Sequence, residues 1–302
     1  MLAAYQSREI QFIRNFLDTL PLNPSDDCLW LEVIKMLTKS PLWMKTIGRV
    51  AFMNCDPLFV GLDESFNVLP APPSWLTGHL LRKDCVLAPI PAADYAKHCD
   101  ELALVPEIGI CSKGEVGSVL VFGNRPLEDM RDIALPTDSS SSVALLKYLF
   151  KVRGIDPRPV EMGPDLDTML ERCDGALLIG DRALDRAKLN PELVRLDLGQ
   201  AWLELTGQPM VFGVFAARKD TPIEAIKTAH EALLTRLDSF ETDSLTREKV
   251  LLHAHLHSDM SLSRLNRYFG EVFNRLDDEH VYGLEEFLRR CCGMEHPISF
   301  LW

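Results

Sequence analysis

From residue 47 onward, apolar runs of strand length alternate with stretches of helical periodicity, and this alternation most constrains the fold. IGRVAFMN reads as a strand and PPSWLTGHLLR as a helix opened by prolines. CVLAPIP is a strand, AADYAKHC a helix, and LALVPEIGICSKGEVGSVLVFGN a pair of strands. DIALP, PRPVEM and GALLIG are further strands, interleaved with helices at SSSSVALLKYLFKVRG, DLDTMLERC and DRALDRAKL. QPMVFGVFAARKD is a long strand, and everything after Thr221 reads as helical. Two long strands, at 116–123 and 210–217, bracket one complete α/β unit, so the chain leaves a first body and returns to it. The expected architecture is α/β and two-lobed. The first lobe is discontinuous (46–120 and 216–302), and 121–215 form an inserted lobe. Residues 1–45 form a helical extension, because Ile10, Phe12, Ile13, Phe16 and Leu17 recur at helical spacing and CLWLEVIKMLTK resumes the pattern. A cleft between two lobes is where a ligand is expected.

Composition excludes several function classes. The net charge of −12 leaves no basic surface to release counterions from nucleic acid, and does not suit an anionic membrane. No window approaches the ~18 apolar residues of a membrane span. The N-terminus lacks a basic start followed by an apolar core, so a cytoplasmic protein is expected. The 8 cysteines are scattered without a CxxC pair and read as reduced core thiols. His253, His255 and His257 lie on an expected helix, where alternate residues do not share a face, so no metal site is expected.

Three places carry candidate chemistry. In RVAFMNCDPLF an apolar run stops at Asn54, holding an amide at the carboxyl end of a strand, where ligands bind in open α/β sheets. The competing reading is an Asx turn in which the amide caps the backbone. Ser139, Ser140, Ser141 and Ser142 open a helix, where hydroxyls cap free N–H groups and the same N–H groups bind carboxylate or phosphate. One serine suffices for a cap; a cap within a polar surface loop remains the alternative. Ser118 interrupts an apolar segment and needs a partner, either a backbone group or a substrate carboxylate. Asp181, after the run ALLI, either caps the next helix or points into the cleft.

Taken in order, RVAFMNCDPLF, VPEIGICSKGEVGSVLVFGNRPL, ALPTDSSSSVALLKYL, ALLIGDRAL and DLGQAWLELTGQPMVFGVFAARKD resemble the chorismate dehydratases of the futalosine route to menaquinone. The ending RYFGEVFNRLDDEHVYGLEEFLRR is similar too, and the resemblance spans about 46–302. It implies a type II periplasmic-binding-protein-like fold used as a cytoplasmic enzyme. It also implies a carbon–oxygen lyase that dehydrates chorismate to 3-[(1-carboxyvinyl)oxy]benzoate without a cofactor. The family's asparagine falls on Asn54, its segment serine on Ser118 and its hydroxyl-rich helix start on Ser139–Ser142. Where the family often carries an arginine in that helix start, this chain has Ser140, so backbone N–H groups would have to hold the carboxylate. Neither Asn54 nor Ser118 is a base at neutral pH, so a carboxylate of the substrate is the expected proton acceptor, with Asn54 orienting the leaving hydroxyl.

Two rivals share the fold. The related 1,4-dihydroxy-6-naphthoate synthase starts with an SPCPN-like turn and uses a histidine base in the inserted lobe; here 143–210 contain no histidine. A non-catalytic solute-binding protein is permitted because fold does not set function, but an export signal would be expected for one.

Overall fold

The computed structural model describes residues 41–302. The expected helical pair at 1–45 lies almost wholly outside them; Leu42–Lys45 form one 3₁₀ turn. Strand β1 (Thr46–Val50) leads through a 3₁₀ turn at Met53–Cys55 into the one-turn helix α1 (Asp56–Phe59). Then come β2 (Asn67–Ala71), α2 (Pro73–Leu81), β3 (Ala88–Pro91), α3 (Ala92–His98) and the long β4 (Leu102–Ser112). The middle of the chain supplies β5 (Val119–Gly123), β6 (Asp132–Pro136), α4 (Ser140–Arg153), β7 (Arg158–Met162), α5 (Leu166–Arg172) and β8 (Gly175–Ile179). It continues with α6 (Gly180–Leu189), β9 (Val194–Asp197) and α7 (Leu198–Thr206). β10 (Met210–Arg218), α8 (Ile223–Thr242), α9 (Ser244–Leu256), α10 (Leu262–Glu271), β11 (Phe273–Leu276) and α11 (Asp278–Cys292) complete it.

The strands form two larger sheets. One has the order β11-β4-β10-β3, all antiparallel, and the other β7-β6-β8-β5-β9, parallel on one side and antiparallel at β5. β1 pairs in parallel with β2, and Gly48 N–H donates to Leu87 O at 2.9 Å, tying β1 to the segment that precedes β3. The chain passes from the first sheet to the second across 113–118 and returns across 207–209. Nearly all of β5, β8 and β10 is buried on both faces, as their continuous apolar runs require. Trp202, fully buried on α7, donates its indole N–H to Pro209 O at 3.1 Å and pins the return crossing.

Local chemistry accounts for the helix ends. Asp165, Asp197 and Asp243 accept backbone N–H groups at the starts of α5, α7 and α9. Gly154, at φ +69°, closes α4 in the left-handed conformation that the pattern FKVRG implies.

Two expectations are corrected. The C-terminal region is not all helical, because Phe273–Leu276 pairs with β4. Leu265, Phe269, Val272, Phe273 and Leu276 fit helical spacing, and only tertiary pairing turns Phe273–Leu276 into a strand. β5 begins at Val119, not at 116, so Ser118 sits in a bend just before the strand.

Candidate active site

Asn54 lies in the 3₁₀ turn that follows β1 and is 8% exposed. The turn is held from below and from the side. Arg49 on β1 forms a short ion pair with the buried Asp56, and His253 Nδ1 lies 3.4 Å from the same carboxylate. Burial raises the Asp56 carboxyl above its ordinary range, against the opposing pull of Arg49 and His253. From α6, the Asp181 carboxylate accepts the Met53 N–H at 3.1 and 3.2 Å. Between the held Met53 and Asp56, the Asn54 amide oxygen is itself buried and, among the described residues, accepts no hydrogen bond. The Asx-turn reading is therefore excluded. A buried amide oxygen without a partner is costly.

Ser118 is 2% exposed, in the bend that links the sheets. Its hydroxyl donates to Val116 O at 3.3 Å and accepts from the Tyr268 hydroxyl at 3.2 Å. Its carbonyl accepts the Gly180 N–H at 2.7 Å. Gly180 takes φ +64°, and a Cβ there would lie 2.7 Å from the Phe52 ring; only glycine lets Phe52 pack so closely.

At the start of α4, Ser139 is the N-cap residue, yet its side chain caps no N–H. It donates to Ser142 Oγ at 2.8 Å, leaving the first N–H groups of α4 and the Ser142 proton available.

Asn54, Ser118, Ser139 and Ser142 line one cavity of about 50 Å³. Phe52, Ile90, Ile110, Ile179 and Phe212 supply its apolar walls, and among the described residues none that lines it is charged. Arg182 stands beside it, 5.6 Å over the Phe52 ring and ion-paired with Asp138.

Three expected site residues are not brought to this lining. Ser140 faces a separate surface depression on the other side of α4. The Ser141 hydroxyl accepts the Ala93 N–H at 3.1 Å, joining α4 to α3. Asp181 neither caps α6 nor reaches the cavity, because its carboxylate is taken up by Met53. Burial, helped by Asp56 and Asp185, pushes its carboxyl up to about 7, against the pull of the Met53 N–H and Arg49. Tyr268, fully buried on α10, is a site element that the sequence reading missed; nothing local in LSRLNRYFG signals a partner 150 residues away. The three histidines have separate partners, Asp56 for His253, Met260 O for His255 and His253 O for His257.

Two crossings between sheets define a periplasmic-binding-protein-like fold, with a cavity beside the crossings. Solved structures agree. A protein of Archaeoglobus fulgidus superposes with TM-score 0.64 at 17% identity, covering 81% of this chain and 95% of that one. A Candida albicans protein, described as having the generic periplasmic binding protein structural fold, gives TM-score 0.59 at 12% identity over 83% and 90% of the two chains. The family model described as menaquinone biosynthesis matches residues 45–292, and the chain belongs to that family. A chorismate dehydratase of Thermus thermophilus is 35% identical over 213 residues, 63% of this chain and 78% of the relative. No helix among the described residues is long and apolar enough to cross a membrane.

Proposed function

We propose that this chain is a cytoplasmic lyase that dehydrates chorismate to 3-[(1-carboxyvinyl)oxy]benzoate. The observation that carries the reading is the unpartnered, buried amide oxygen of Asn54, in a cavity that also presents Ser118, Ser139 and Ser142. The family membership and the Thermus thermophilus relative give the reading its context. Chorismate is a dianion with one ring hydroxyl. The hydroxyls and the free N–H groups at the start of α4 suit a carboxylate, and Asn54 suits the leaving hydroxyl.

The step is an elimination. The C–H bond at the ring carbon bearing the enol ether breaks and its electron pair forms a ring double bond. The C–O bond to the neighbouring hydroxyl breaks, and the abstracted proton leaves with it as water. The ring becomes aromatic, and no oxidant is needed. None of the residues lining the cavity is an acid or a base near neutrality, so a carboxylate of the substrate takes the proton and the protein supplies geometry. Asn54 holds the departing oxygen in line, and the apolar walls exclude water that would compete for the proton. Two lobes, 46–120 with 216–302 and the inserted 121–215, supply the opposite walls in this reading.

The test is purified protein with chorismate, followed by the aromatic absorbance of the product, alongside Asn54→Ala. The variant should lose at least about a hundredfold in kcat while still binding chorismate, as for removal of a group that acts on developing charge. Full activity in the variant would overturn the role of Asn54.

A further inference from the structure

The bend 116–118 is clamped more heavily than a linker needs. Asp197, the N-cap of α7, accepts the Val116 N–H at 3.1 Å and the Gly117 N–H at 2.8 Å. Gly180 N–H binds the Ser118 carbonyl. Gly117 sits at φ +64°, with Arg264 and Glu271 of α10 so close that a Cβ would lie within 2.7 Å of both. These contacts fix the backbone of Ser118. They leave the direction of its hydroxyl to Tyr268, whose side chain is fully buried and whose hydroxyl makes one hydrogen bond among the described residues, to Ser118 Oγ at 3.2 Å.

A hydroxyl has one proton and two acceptor positions. The Tyr268 proton fills one acceptor position of Ser118, so the Ser118 proton cannot be turned toward Tyr268. Its remaining partner is Val116 O, and at 3.3 Å that bond is long for O–H···O, whose usual length is near 2.7–2.8 Å. The Ser118 proton is thus held in a weak bond at the cavity wall and is free to swing to a better acceptor. Burial raises the Tyr268 hydroxyl above its ordinary range, so it stays protonated and remains a donor.

We infer that Tyr268 is a positioning residue: by donating to Ser118 it commits the Ser118 proton to a carboxylate of the bound substrate. It never touches substrate, and its effect passes through Ser118. This assignment rests on the dehydratase reading.

The test is a double-mutant cycle of Tyr268→Phe and Ser118→Ala. The ligand for calorimetry is the aromatic product 3-[(1-carboxyvinyl)oxy]benzoate, which is not turned over, so inactive variants can be measured. Turnover of chorismate is followed in parallel. Tyr268→Phe keeps the ring and removes one oxygen. In the otherwise native protein it should weaken product binding about tenfold, the usual consequence of losing one useful hydrogen bond. It should also lower kcat/KM by at least as much. In the Ser118→Ala background, where there is no hydroxyl to direct, the same change should alter binding less than about twofold. A purely structural tyrosine would lower the melting temperature and affect binding equally in both backgrounds. Equal effects in the two backgrounds, or native binding and turnover in Tyr268→Phe, would overturn the assignment while leaving the dehydratase reading intact. Native protein that does not convert chorismate would overturn both.

Discussion

Replacing Asp181 by asparagine should stabilise the protein, and only above about pH 4. The carboxyl sits between the start of α6 and the turn that holds Asn54, and burial lifts it from 3.8 to about 7. The folded chain therefore binds this proton more tightly than the unfolded chain. Stability contributed by the protonated form is complete below about pH 3.8 and is lost as pH rises toward 7, after which the cost is constant. The separation of 3.8 from about 7 corresponds to about 4 kcal/mol, at 1.36 kcal/mol per tenfold, and is a ceiling because relaxation and water lower it. Asparagine carries no charge but keeps an oxygen to accept the Met53 N–H. Asp181→Asn should match the native protein near pH 4 and exceed it by about 2–4 kcal/mol at pH 8, the gap opening between those limits. Urea unfolding of both proteins at intervals from pH 4 to 8 measures this directly. Taking the difference removes the contribution of other titrating groups to first order. A gap that does not vary with pH, or a native protein more stable than the variant at pH 8, would refute the burial argument.

Two further substitutions probe the cavity. Gly180→Ala should cost about 1–2 kcal/mol from the left-handed backbone alone, and it pushes Phe52 out of the cavity wall, so turnover should fall together with the melting temperature. Ser142→Ala should raise KM for chorismate by about tenfold, whereas Ser140→Ala should change it by less than about twofold, because only the first hydroxyl faces the cavity; the paired KM values check this. Together with Asn54→Ala and Tyr268→Phe, these variants separate substrate contacts from their supports.

The alternation of elements was legible because the three inner strands of the second sheet, β6, β8 and β5, are short apolar runs bounded by turn residues, as GALLIG and DIALP illustrate. The place of Asn54, in the turn after β1 and on the cavity wall, was legible because an apolar run stops at a polar amide. What the chain could not disclose is pairing. β9 is only 4 residues long and none of them is fully buried, so no periodicity marks it. β11 carries helical spacing and becomes a strand only against β4. The serine cluster shows the same limit. Four hydroxyls look equivalent in the sequence, yet the helical turn sends Ser139 and Ser142 to the cavity, Ser140 to the far side and Ser141 to α3. Asp181 was expected to cap its own helix or face the ligand, and it does neither, because its partner, Met53, lies 128 residues away. Tyr268 has no local signature at all, since its role depends on a bend far upstream.

The most direct measurement is proton NMR of chorismate incubated with the native protein. The account predicts that the ring signals are replaced by those of a meta-substituted benzoate while the two vinyl protons of the enol ether persist, with one water lost per substrate. Chorismate left unchanged, or an aromatic product that has lost its enol ether, would contradict it.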